Sequence, residues 1–490
     1  MTDSGEGSRR SFYGKGFGRQ SNFARKPVNQ EREDNEIADL FQKTRINAGI
    51  NFAEYAKIPV RCVPNNIVPA ASFTAFGMPD SLRSNVERAG YQQPTPIQQY
   101  SQPIIFKGND LMACAQTGSG KTAAFLMPII SDIFEKGKGC LPIHMRGDPT
   151  YASAALPVAL VLGPTRELVS QIHDEARKFC YKTEVRSVVC YGGVEKSAQE
   201  HELRKGADIV VATPGRLWDL FSMRTLRFMC IRFVVLDEAD RMLDLGFDKQ
   251  IEQIMEDTDM PRTADRQTLM FSATFPSMIQ TLAKNYLGNY YFVTVGRVGQ
   301  TTEGITQRVE LVEPENKFRV LNQLLRKDVG ALKLVFVETK RTAEQLLDGL
   351  YDVFNVDALH GDRSQAEREH ALKMFRNGEI NILVATDVAS RGLDIPNVEH
   401  VIQYDLPKSM DDYIHRIGRT GRAGNIGLAT ALFSPSDCPM ASELLQILKE
   451  HHQSIPEWLP DMTLQAMQRK SARGKGRSGK SFQRGRNSSY

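Results

Sequence analysis

At 490 residues the chain is longer than one ordinary hydrophobic core supports, so two domains with appendages are expected. Its 41% hydrophobic and 24% charged residues match a soluble globular protein. No run approaches the ~18 apolar residues that cross a bilayer, and the polar opening MTDSGEGSRR lacks a signal peptide's apolar segment. A net charge of +4 conceals basic ends: residues 1–30 hold six Lys or Arg against two acids and residues 462–490 hold eight against none, which leaves the middle at −8.

In chain order, residues 1–65 read as a mostly disordered extension, since GEGSRRSFYGKGFGRQSNFARK has few aliphatic side chains to offset its ordering entropy. A first α/β domain is expected over 66–296, from apolar β-branched runs at DLMACA, PVALVL, SVVCYGG, DIVVA, FVVLD and TLMFSA with helical stretches between them. A Gly-rich linker follows at 297–306. LKLVFVET, NILVAT and VEHVIQYD then mark a second α/β domain over 307–461, and a disordered basic tail closes the chain over 462–490. The tails read either as solubilising segments or as RNA-contacting arms whose arginines meet phosphates. Cys62, Cys114, Cys140, Cys180, Cys190, Cys230 and Cys438 form no Cys-x-x-Cys pair, so a reducing compartment and no structural zinc are expected.

Parallel sheets gather ligands at the carboxyl ends of their strands, where the polar motifs fall. Directly after DLMACA comes AQTGSGKT, residues Ala115, Gln116, Thr117, Gly118, Ser119, Gly120, Lys121 and Thr122. This is a phosphate-loop pattern with Ala115 in place of the first glycine. Its glycines let backbone N–H groups approach phosphate, Lys121 suits the β and γ oxygens, and the Thr122 hydroxyl suits Mg²⁺. FVVLDEAD supplies the acids such a loop requires: Asp237 for the metal and Glu238 to orient or deprotonate an attacking water.

With SAT at Ser272 to Thr274 and HRIGRTGR at 415–422, these motifs resemble the DEAD-box family of ATP-dependent RNA helicases. GYQQPTPIQ, PTREL, TPGR, HGDRSQAERE and ATDVASRGLD complete the set in family order over about residues 70–435. INFAEYAKIPV, RFVVLDEADRMLDLGF and PEWL resemble the Vasa-like subgroup. The resemblance implies two tandem RecA-like parallel-sheet domains closing on one ATP with Mg²⁺. It implies that Gln98 hydrogen-bonds adenine, that Phe73 and Tyr91 flank the base with Tyr91 stacking, and that Gly392 and Asp394 reach the nucleotide, Asp394 at a ribose hydroxyl. Arg419 and Arg422 are implied as cationic donors at the γ-phosphate. Arg416 is expected to pair with acids near Asp237, while Ser272 and Thr274 couple the nucleotide to closure or else cap the following helix. RNA is expected on Pro164, Thr165, Arg166, Gly193, Thr213, Gly215 and Arg216 of the first domain and on Thr339, Arg363, Gln365, Arg368 and Thr386 of the second, bound without sequence preference.

The implied activity is RNA-stimulated ATP hydrolysis with local separation of short duplexes. An RNA clamp and a DNA helicase are its rivals. A monomeric core, ribonucleoprotein partners, no membrane association and a cytoplasmic location are expected.

Overall fold

The structure, a computed structural model, describes residues 37–41, 58–116, 118–139, 151, 154–296, 304–328, 330–387, 398–421 and 427–475, the side chains of 467–475 excepted. Continuous apolar runs form the strands of the first domain: β1 Val60–Val63, β2 Asp110–Cys114, β3 Ala159–Leu162, β4 Ser187–Cys190, β5 Ile209–Ala212, β6 Phe233–Leu236, β7 Gln267–Ser272 and β8 Tyr290–Val295. They lie in the order β1-β8-β2-β7-β6-β3-β5-β4, parallel except for β1, which pairs antiparallel with β8. β2, β3, β5, β6 and β7 are buried along their whole length. Helices cover both faces, which is why these strands carry no polar alternation.

The second domain holds β9 Ile305–Leu311, β10 Lys333–Val337, β11 Val356–Leu359, β12 Ile382–Thr386, β13 His400–Gln403 and β14 Gly427–Phe433. Their order is β11-β12-β10-β13-β14-β9, all parallel. Two tandem parallel-sheet α/β domains therefore stand as expected.

Strand order sorts the motifs. In the first sheet β2, β7 and β6 are neighbours, so the loop after β2, the SAT segment after β7 and the acids after β6 share one rim. β3, β5 and β4 form the other half and end at Pro164, Thr213 and Gly193. In the second sheet β11, β12 and β10 lead to Arg363, Thr386 and Thr339, while the arginine-bearing helix Met410–Ile417 follows β13.

At both ends the described fold reaches past the expected domain boundaries. Val60–Val63 belongs to the first sheet, and a helical turn at 37–41 buries Ile37 and Phe41 in that domain's core, with the Arg88 guanidinium 4.3 Å from the Phe41 ring centroid. At the other end a helix spans Trp458–Lys475, beyond residue 461, because Leu459, Thr463 and Ala466 turn one face into the second domain.

Candidate nucleotide site and interdomain cleft

The phosphate loop runs from β2 into the helix Lys121–Lys136, whose N-cap, Gly120, sits at φ 88°, a left-handed conformation suited to glycine. Two side chains from the preceding Gln-rich motif clamp it. Thr95 Oγ1 donates to Ser119 O at 2.8 Å and Gln98 Nε2 to Gly120 O at 3.0 Å, while Gln98 Oε1 accepts the Thr95 N–H at 3.0 Å. A Cβ on Gly120 would meet both Gln98 and Thr95. One donor and one acceptor of the Gln98 amide are thus engaged by the protein, and an amide retains one of each for a base edge. The Tyr91 ring packs against Phe73 (6.3 Å, edge-on) and Phe179 (5.6 Å), and its hydroxyl donates to Glu175 at 2.8 Å, so it is braced within the first domain.

Lys121 is buried and its Nζ donates to Ala115 O across the loop at 2.8 Å. Ser119 Oγ is buried with no hydrogen-bond partner among the described residues, as expected of a hydroxyl facing a polar ligand. Thr117, Gly392, Asp394 and Arg422 lie outside the described residues.

Asp237 follows β6, with its backbone N–H held by Leu162 O at 2.9 Å, and Asp237 Oδ1 accepts the Glu238 N–H at 3.0 Å. Burial pushes the Asp237 carboxyl up to about 6, reinforced by Glu238 and opposed by Lys121. Glu238 adopts φ 50°, ψ 50° before the six-residue helix Ala239–Asp244; this left-handed, non-glycine conformation is the kind of local strain that concentrates at functional sites. Asp237, Glu238 and Asp240 are all buried, which rules out a solvated acidic turn.

Asp240 joins three motifs. Its Oδ2 accepts Thr274 Oγ1 at 2.8 Å, Thr274 N at 3.0 Å and Ala273 N at 3.2 Å, and His415 Nε2 of the second domain lies 3.9 Å away. Burial alone would raise its pKa, but the Thr274 hydroxyl and the Arg241 charge outweigh burial and hold the carboxyl below the ordinary range. Burial, with Arg241, pushes His415 down to about 3, so the imidazole is neutral. Helix capping does not explain Thr274, because Pro276 is the N-cap of the helix Ser277–Tyr286.

Three further contacts close the cleft. Arg241, buried beside Asp240, pairs with Asp412 of the second domain and lies 3.1 Å from Asp244. Glu167 pairs with Arg368, and Arg166 Nη1 donates to Gln365 Oε1 at 3.2 Å, so two helix N-termini from opposite domains face each other.

Arg416 departs from expectation. Its Nε and Nη2 donate to Asp387 at 2.6 Å each and Nη1 to Asp405 O at 2.6 Å, all within the second domain. The β12 end lies nearer than the acids beside Asp237, so Arg416 braces its own helix, and Arg241 and His415 make the crossings instead. Arg419 is buried, with Nε donating to His415 O at 3.2 Å.

Of the RNA candidates, Thr165, Thr213 and Thr339 are N-caps of helices that follow β3, β5 and β10, where exposed N–H groups favour phosphate. Gly193 (φ 80°) lies so close to Arg166 that a Cβ would overlap its guanidinium. Arg216 Nη1 reaches Gln199 at 2.8 Å, and Pro214 and Gly215 open the same helix. Arg363 braces Glu344 and Asp357 at 3.2 Å, beside a cavity of about 570 Å³ that Lys340, Arg341 and His360 also line. Thr386 is buried at the end of β12.

Fold and site define a phosphate-loop nucleoside triphosphatase assembled from two RecA-like domains. The DEAD/DEAH box helicase profile matches residues 95–282, and that of the helicase conserved C-terminal domain matches residues 316–424. S. cerevisiae Dbp5 bound to RNA and ADP BeF3 is 30% identical over 79% of this chain and 95% of that chain, with a TM-score of 0.66. Mss116 bound to ssRNA and UDP-BeF is 29% identical over 80% and 82%, with a TM-score of 0.67. S. cerevisiae Dbp5 in complex with Gle1 and IP6 is 30% identical over 78% and 93%, with a TM-score of 0.60. The chain belongs to the DEAD-box helicase family. The ATP-dependent RNA helicase activity implied by its motifs is the activity of that family, and among the described residues no helix is long and apolar enough to cross a membrane.

Proposed function

We propose that the closed cleft is the hydrolytic geometry of this helicase, reached when ATP and RNA both bridge the domains, and that within the family the chain stands with the Vasa-like subgroup on the strength of INFAEYAKIPV and RFVVLDEADRMLDLGF. One observation carries the mechanistic reading: Asp240, two residues beyond Glu238, is gripped by Thr274 from its own domain and approached by His415 from the other. The acid run is then fully braced only when the domains meet.

In this reading Lys121 leaves Ala115 O for the β and γ oxygens, with Ser119 Oγ among the phosphate donors. Gln98 signals base occupancy to Gly120, and Glu238 takes the proton of the attacking water. Thr122 and Asp237 suit Mg²⁺, an oxygen-seeking ion, and Asp237 fits it because a buried carboxyl with a raised pKa gains from a dication. Bound there, Mg²⁺ supplies charge neutralisation at the phosphates. Arg419 and Arg422 complete the site from the second domain, where fixed cations at developing charge are worth ~10³ to 10⁵ in rate.

RNA lies along the β4-β5-β3 and β10-β12-β11 rims, where the candidate contact residues gather; that Dbp5 and Mss116 are each bound to RNA supports an RNA ligand. Contacts to backbone and 2′-hydroxyls make binding indifferent to sequence. Closure bends one strand away from A-form geometry, and at ~1.4 kcal/mol per stacked step a few pairs separate per cycle. Ribonucleoprotein components in the cytoplasm are the proposed setting. Single-turnover assays test the roles: Glu238→Gln is expected to bind ATP and RNA while hydrolysing poorly, and Lys121→Ala to lose nucleotide affinity. Wild-type turnover by Glu238→Gln would remove the base assignment.

A further inference from the structure

The helix Met410–Ile417 carries His415 and Arg416 and ends two residues before Arg419, so its placement sets where the second domain's cations fall. On its inward face Tyr413 is 1% exposed, and its hydroxyl donates to Gln307 Oε1 at 3.0 Å. Gln307, also 1% exposed, sits on β9, whose inward positions Ile305 and Val309 are apolar. An amide between two aliphatic residues on a buried strand face is costly unless satisfied. Here it is satisfied: its backbone N–H donates to Gln453 Oε1 at 2.8 Å, its Oε1 takes Tyr413, and Nε2 lies 3.4 Å from His451 Nδ1.

The surrounding side chains, Ile417, Ala429, Leu444, Ile447 and Leu448, would accept a Phe and a Leu in place of this polar pair. Fully paired polar groups in an apolar cluster fix one arrangement among several that packing alone would allow. β9 is the first described element of the second domain and pairs with β14 at Gln307↔Ala429; β14 in turn pairs with β13, the strand before the arginine helix. The amide therefore ties three segments together: the strand leaving the linker, the arginine helix and the turn at His451–Gln453.

We infer that Gln307 and Tyr413 are positioning residues for hydrolysis, holding the arginine helix in register with the strand that emerges from the linker so that closure delivers Arg419 to the phosphate. This rests on the reading of Arg419 as a catalytic cation. Neither side chain touches nucleotide, so the effect falls on turnover and not on ATP affinity. A displacement of about 1 Å at a reacting group can cost ~10²-fold. Loss of one of several constraints is expected to cost about tenfold.

The test uses the full chain at saturating RNA, at a temperature where circular dichroism shows every variant folded. Tyr413→Phe and Gln307→Leu are each expected to lower kcat about tenfold with KM for ATP and RNA affinity within about twofold. The double variant is expected to regain or exceed the wild-type Tm, since both polar partners are gone, while kcat stays as low as in either single. Activity that recovers with Tm would make the pair structural and overturn the inference. Arg419→Ala separates the two levels. If it keeps wild-type kcat, the cation reading fails. If it is inactive while the double variant turns over normally, only the positioning inference fails.

Discussion

Replacing Asp412 by asparagine removes one charge from a contact that exists only while the two domains touch. Arg241 is 3% exposed and the Asp412 side chain 19%, so the pair lies largely out of solvent. Removing one partner of a buried ion pair costs ~3–5 kcal/mol, but Asp244 remains 3.1 Å from Arg241 and Asp412 is partly wet, which places the loss near ~2 kcal/mol. Asparagine can still accept from Ser409 Oγ, which lies 2.9 Å from Asp412 Oδ2, and the Asp412 N–H keeps its bond to Ser409 Oγ at 3.1 Å, so the helix start survives. The loss therefore falls on closure, and ~2 kcal/mol is a ~30-fold smaller closure constant. Fluorescence transfer between dyes on the two domains, with RNA and a non-hydrolysable ATP analogue, reads it directly. A closed fraction for Asp412→Asn equal to wild type at limiting RNA would refute the reasoning.

Asp237 titrates near 6 in the folded protein against ~3.9 for an unfolded aspartate, so stability from this group is full below about pH 4 and is lost as pH rises through about 6. Asp237→Asn is accordingly expected to be more stable than nucleotide-free wild type by ~3 kcal/mol at neutral pH, with the gap closing towards about pH 4; thermal melts across pH check this, and a gap independent of pH would contradict it. Affinity for MgATP is expected to fall as pH drops through about 6, because the carboxyl must release its proton to meet the cation. Gly193→Ala places a methyl on the Arg166 guanidinium and is expected to raise the RNA concentration for half-maximal ATPase several-fold while leaving RNA-free ATP binding intact by calorimetry.

Continuous apolar strands and the polar residues that follow them were legible because a buried parallel strand has no other use for such a run. Three second-domain strands lacked that signal: β9 alternates buried and exposed positions, β11 is four residues with an aspartate, and β14 mixes Gly, Thr and Ala. The packing of residues 37–41 beyond the expected boundary was hidden for the same reason. Ile37, Leu40 and Phe41 form one short apolar group in a polar stretch, and nothing local announces that Arg88 and Tyr181 await Phe41. In the site, the loop and the acids followed from chemistry at fixed spacing. The partners of Asp240, Arg241 and Arg416 did not, because each is chosen by which strand ends adjoin across a sheet or a cleft, and an arginine carries no mark of the carboxylate it will meet.

The antiparallel strand at the margin of the first sheet has a mechanical corollary. Val60 lies opposite Val295, Pro59 O accepts the N–H of Gly296 at 2.9 Å, and Ile58 packs beside that glycine, so the first strand of the sheet begins at the same corner from which the polypeptide departs towards its second half. Tension in that first strand is thus passed through one hydrogen bond and one short ladder to the end of β8, the root of the passage into the second lobe.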